Sequence, residues 1–161
     1  MTLNKIKTKH IISILGFAIV LLLFLIPYLY YDDLPDKIPR HFNRKGEVDG
    51  MASRNSIWNL SIVGAAFFFL LELTAYFLPV IVQYLDELDA KKNEYLHLGI
   101  LMLKMFNTLF VSIFLYVNYA KIMTATGRWN GIGDSLSSIL FGAIVFLVVF
   151  FAYRFVHLDK E

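Results

Sequence analysis

The chain of 161 residues contains no cysteine, which excludes disulfides, thiolate metal sites and anchoring through a lipidated cysteine. Charge is scarce: 17% of residues are Asp, Glu, Lys or Arg, against 58% apolar, the wrong balance for a surface facing water. The net charge is only +2, and the basic residues are spread over termini and loops rather than gathered in a stripe, so a nucleic-acid partner is not expected. No HExxH, GxSxG or phosphate-binding glycine loop occurs. The chain therefore reads as a non-enzyme that needs no cofactor.

What is present is apolar sequence in long runs: residues 11–31, 57–84, 98–120 and 136–156. Each reaches the roughly 20 residues required to cross about 30 Å of hydrocarbon. Lipid offers no partner to backbone N–H and C=O groups, so the runs must be helices. The expected fold is an all-α membrane protein, one polytopic domain of four transmembrane helices, with membrane lipid as its solvent. Lys5, Lys7 and Lys9 precede the first run as in a signal peptide, but the apolar core is long and no small-x-small site follows Tyr31, so it reads as a retained span.

Four spans put both termini on one side. The terminal side holds Lys5, Lys7, Lys9, Lys91, Lys92, Arg154 and Lys160, and the other holds Lys37, Arg40, Arg44, Lys45, Arg54, Lys121 and Arg128, seven basic residues each. The acid-free lysine flank of the first span favours cytoplasmic termini, and hence a multi-pass protein with the 32–56 loop outside. Tyr28, Tyr30, Tyr31 and Trp58 bracket that loop as an interfacial aromatic belt. Asp86 to Glu94 reads as a short solvated turn, and Lys121 to Asp134 as a glycine-rich loop anchored by Trp129.

The 34–50 loop, LPDKIPRHFNRKGEVDG, carries the most information. Pro35 and Pro39 hold the residues before them extended. Asn43-Arg44-Lys45-Gly46 fits a type I turn with a positive-φ glycine, which predicts a small β-hairpin with His41 near Asp49 and with Ile38, Phe42 and Val48 as apolar anchors.

The loop resembles the bacterial domain of unknown function 1648, whose pattern is matched here by Leu34, Pro35, Ile38, Pro39, His41, Phe42, Asn43, Gly46, Asp49 and Gly50. The resemblance spans the first helix, the loop and the start of the second helix. A similar module occurs in SdpI-like immunity and signalling proteins, which implies a loop outside the cytoplasm that recognises a peptide toxin, an envelope component or a partner membrane protein. The carboxy-terminal region of SdpI-like proteins, with its Gly-Asn motif, has no evident counterpart in residues 85–161.

On this reading Pro35, Pro39, His41, Phe42, Asn43, Gly46 and Asp49 form the recognition loop. His41 and Asp49, with Asp32 or Asp33, are also weak candidates for a divalent cation, although one imidazole among scattered carboxylates more often just closes a hairpin. Glu72 and Lys104 are expensive in lipid, should lie at similar depth, and are expected to pair. The alternative makes them, with Tyr76 and Asn107, a proton or ligand path in a small transporter or channel component. A third reading is a structural subunit of a membrane complex. Pro79 is expected to shape the second helix, and His97 and Arg154 to sit at the cytoplasmic boundaries of the third and fourth spans.

Overall fold

A computed structural model describes residues 3–85, 89–133 and 135–158, with the side chains of residues 3–6 and 135–137 left out. The chain runs α1 (Leu3–Tyr30), β1 (Lys37–Phe42), β2 (Val48–Ser53), α2 (Ile57–Leu85), α3 (Ala90–Ala125) and α4 (Ser135–Leu158). Two 3-10 turns, Tyr31–Asp33 and Arg54–Ser56, tie the hairpin to α1 and α2. All four helices are long and apolar enough to cross a membrane, so this is a multi-pass membrane protein. Ile14, Leu21, Phe69, Leu70, Phe141 and Phe146 each expose more than half of their surface, as lipid-facing side chains do when lipid replaces water.

Two connections are shorter than the sequence suggests. Ala90 to Glu94 belong to α3, because Asp89 caps the helix by accepting a hydrogen bond from the Lys92 amide at 2.7 Å. Asp86, Glu87 and Leu88 of that expected turn, Asp134 of the third loop, and Lys160 lie outside the described residues. At the other end α3 runs through Lys121 to Ala125, where a loop was expected. It stops at Gly127 (φ 72°), where the Arg128 amide reaches the Met123 carbonyl at 2.8 Å and the Gly127 amide reaches Thr124 at 3.1 Å, the paired bonds of a Schellman cap.

Helix α3 is the axis of the fold and packs against α1, α2 and α4. Gly64 lets α2 approach closely: a Cβ there would fall 2.7 Å from a Leu23 methyl and 2.9 Å from the Phe114 ring. The interior has three apolar patches. Val20, Leu23, Phe68 and Val111 fill the middle of the α1–α2–α3 bundle, Leu98, Leu147 and Phe151 join α3 to α4, and Leu34, Ile38, Ile57, Ile122 and Met123 lie beneath the hairpin.

Candidate functional site

The hairpin forms as the loop sequence dictates. Gly46 takes φ 78°, which an L side chain rarely adopts. The Asn43 side chain accepts from the amides of Lys45 and Glu47 at 2.8 and 3.0 Å and donates to the Glu47 carboxylate at 2.9 Å, so one asparagine organises the tip. His41 Nδ1 and Asp49 Oδ1 are 2.6 Å apart across the strands, both exposed. Gly50 stands opposite His41, where a Cβ would sit 3.3 Å from that of His41. The ladder skips Arg40 on one strand and Asp49 on the other. Such bulges break alternation and re-aim side chains: Ile38 and Pro39 are buried in succession, and Arg40 turns outward.

Of the anchors expected from sequence, Ile38 is fully buried, whereas Phe42 and Val48 are half-buried near the tip. Leu34 is a further anchor, packed with Ile38 on α3. The hairpin also docks on the α3–α4 loop through backbone alone. The Ile132 amide donates to the Gly46 carbonyl at 2.9 Å, and a side chain on Gly131 (φ 132°) would run into that carbonyl. Between hairpin and helices lies a cavity of about 330 Å³ lined by Arg40, His41, Arg44, Val117, Ile132 and Leu140, among others.

Lys121, expected in an exposed loop, is 7% exposed. It stands one turn beyond Val117 on α3, with Arg40 as the charged group acting on it. Among the described residues no side-chain hydrogen bond or ion pair engages Lys121, Arg40 or Arg44.

Towards the terminal side, Glu72 and Lys104 do meet. Glu72 Oε2 accepts from Lys104 Nζ at 2.6 Å and from the Ser13 hydroxyl at 3.0 Å, while Lys104 also donates to Ser13 at 2.7 Å. Three helices thus close a triangle, with the two charged side chains only 13% and 20% exposed. Glu72 Oε1 is buried without a partner and adjoins a cavity of about 390 Å³ lined by Lys9, His10, Tyr76, Pro79 and His97, among others. Lys9 Nζ and His97 Nδ1 are 2.7 Å apart. Asn107 stays outside the triangle and donates to the Phe68 carbonyl at 3.0 Å. Nearer the hairpin, Asn118 donates to Ser61 at 3.0 Å and Ser61 to the Leu23 carbonyl at 2.6 Å. The apolar layer of Val20, Leu23, Phe68 and Val111 separates these two polar levels.

With this geometry in place, comparison with known families decides one point: residues 18–65 match the domain of unknown function DUF1648. No curated protein and no solved structure matches the chain. The matched segment comprises the later half of α1, the hairpin and the start of α2, and it rests on α3 through Ile122 and Met123. Lys121 and Lys104 both lie beyond it, on α3. Among the described residues no group of three or more His, Asp and Glu side chains could hold a metal ion: within the matched segment His41 and Asp49 contact each other, while Asp32 and Asp33 lie in the turn after α1. Sequence reasoning missed Lys121, Ser13, Ser61 and Asn118. The signal for Lys121 was Gly127, the first residue able to end the third helix; isolated serines in apolar runs give none.

Proposed function

We propose that the protein is a non-enzymatic recognition component of a bacterial cell membrane, with the hairpin outside and both termini in the cytoplasm. Its target is a peptide, an envelope component or a partner membrane protein. One observation carries this reading: the hairpin is fixed from both sides, by Ile38 in the core and by the Gly46–Ile132 hydrogen bond, while His41, Arg44 and the cavity beside them stay accessible. A rigid polar face loses little conformational entropy on binding. Toxin immunity or signalling of the SdpI-like kind is the specific version the loop resemblance suggests.

A second reading, a small transporter, draws on the orphan Glu72 Oε1 and the cavity next to it. The apolar layer between that cavity and the hairpin counts against it, since a through-path needs polar lining on both sides. The experiment is a three-way comparison in cells and liposomes. Substitutions at His41, Phe42 or Asp49 should abolish the biological response while the chain still folds. If instead Glu72→Gln or Lys104→Met abolishes it, and the purified protein moves charge across liposomes, the recognition reading fails. Copurification with one fixed partner regardless of hairpin sequence would favour a structural subunit.

A further inference from the structure

A β-strand carries backbone donors and acceptors on both of its edges, and a two-stranded hairpin uses only the edges that face each other. The register shows which groups are left over. The Arg54 amide reaches the Asp36 carbonyl at 2.9 Å, and Lys37, Ile38 and Pro39 follow in unbroken register with Ser53, Ala52 and Met51. Bonded and non-bonded pairs alternate in an antiparallel ladder, so the backbones of Ile38 and Ala52 face each other, whereas those of Lys37, Pro39, Met51 and Ser53 face away. On β1 that outer position is blunted, because Pro39 has no N–H, and the strand lies against α3. On β2 it is open. Met51 keeps its amide and its carbonyl, and Ser53 keeps its amide, its carbonyl being committed to the 3-10 turn that it caps. Among the described residues no other hydrogen bond takes these three groups.

Position and charge narrow what completes that edge. Backbone groups left unpaired cannot lie in hydrocarbon, so the β2 edge stands at headgroup or water level, and no acyl chain can satisfy it. Another extended backbone can, since it carries donors and acceptors at the same spacing. Natural strands guard an open edge with lysine, proline or a bulge; from Met51 to Ser53 there is none of these, and Met51 exposes 53% of its surface. The hairpin is also polarised in charge. Its exposed cations, Lys37, Arg40, Arg44 and Lys45, lie on β1 and the turn, while the exposed acids Glu47 and Asp49 lie at the head of β2. A second copy of β2 brings no free cation to those acids, because its Arg54 lies over the Tyr31 ring at 5.3 Å. The edge therefore suits an extended segment that carries positive charge of its own.

We propose that β2 accepts an extended, basic peptide segment of a partner protein as a third strand, bonded to the Met51 amide and carbonyl and to the Ser53 amide. Side chains of the segment then alternate over the exposed face, an apolar one against Met51 and a lysine or arginine beside Asp49. Main-chain bonds hold the segment in place, and these two side-chain positions select it. The bulges at Arg40 and Asp49 end the regular edge towards the tip, so the segment is short. This mode rests on the recognition reading and names the form that its target takes.

The test uses the full chain in an uncharged detergent, with synthetic peptides of about seven residues that alternate valine and threonine around one lysine. Fluorescence anisotropy reads binding, and amide hydrogen exchange reads its place. The peptide should slow exchange at Met51 and Ser53 about tenfold or more and leave Ala52, already bonded to Ile38, unchanged. The same peptide N-methylated at alternate residues should not bind, and one with glutamate in place of lysine should bind about tenfold more weakly. Met51→Pro removes an amide that plays no part in the hairpin, so the unfolding temperature should hold while binding falls about tenfold or more. Met51→Lys leaves the backbone intact, charges the edge and should weaken binding as well. Absence of protection at Met51 and Ser53 overturns the proposal, as does unchanged binding by both Met51 variants or by the N-methylated peptide. Equal binding of the glutamate peptide overturns the basic assignment. Protection of these amides that rises with protein concentration alone would give the edge to a second copy and overturn the peptide assignment. If Met51→Pro leaves the biological response intact while substitutions at His41, Phe42 or Asp49 abolish it, strand addition fails and the recognition reading stands. If none of them touches the response, both fail.

Discussion

Lys104 and Lys121 stand on one helix, and the protein buries them in opposite ways. Lys104 has Glu72 and Ser13 within hydrogen-bonding distance, contributed by α2 and α1. Lys121 has no partner among the described residues and shares its surroundings with Arg40. The first is a closed arrangement that ties three helices together; the second buries its stem under the hairpin without a carboxylate partner among the described residues. Charge that structure satisfies internally contributes to fold. The Glu72 end therefore holds the bundle together, with Glu72 Oε1 buried without a partner among the described residues, whereas the proposed recognition function places binding at the hairpin end.

Disturbing the closed arrangement should give the largest effect. Glu72→Gln leaves Lys104 in an apolar setting without its counter-ion, and denaturant unfolding in detergent should show a loss of about 3–5 kcal/mol. Adding Lys104→Met should recover most of that loss, since neither charge then remains. If the double variant instead loses the sum of the two single effects, the pair is not a unit and the contrast between the lysines disappears. Next in size is the hairpin's attachment. Ile38→Ala removes a fully buried side chain and should cost about 3 kcal/mol, seen as lower stability together with faster proteolysis at Arg44 or Lys45.

The sequence shows the helices and the hairpin for a simple reason: each signal is local. Apolar runs beyond span length, Pro35 and Pro39 before extended residues, and Asn43 to Gly46 as a turn all act within a few positions. The Glu72–Lys104 contact was also legible, because a short connection forces α2 and α3 antiparallel and only two charges lie near that depth. Lys121 was not, because its burial depends on where α3 ends and on the hairpin folding back over it. Ser13 completes the triangle from a helix 59 residues away in sequence from Glu72, and nothing nearby in the chain marks that serine.

A smaller effect is expected at Lys121. Lys121→Met should change stability by less than about 1 kcal/mol, because the apolar stem stays buried in either side chain and the ammonium is not among the enclosed, unpartnered polar atoms. A clear loss of stability would show that the ammonium makes a contact that the fold needs.

The smallest effect is expected at the exposed pair across the hairpin strands. His41 and Asp49 are 2.6 Å apart, but their side chains are 70% and 43% exposed, and an ion pair in contact with water contributes little. Asp49→Asn should therefore cost less than about 1 kcal/mol in the same unfolding measurement, since Asn43, Ile38 and the Gly46–Ile132 bond still hold the hairpin. A near-neutral stability change accompanied by loss of the biological response would place the His41–Asp49 pair on the recognition surface. A stability loss several times larger would instead make it a fold element like Glu72–Lys104, and would remove the distinction between the two ends of the bundle.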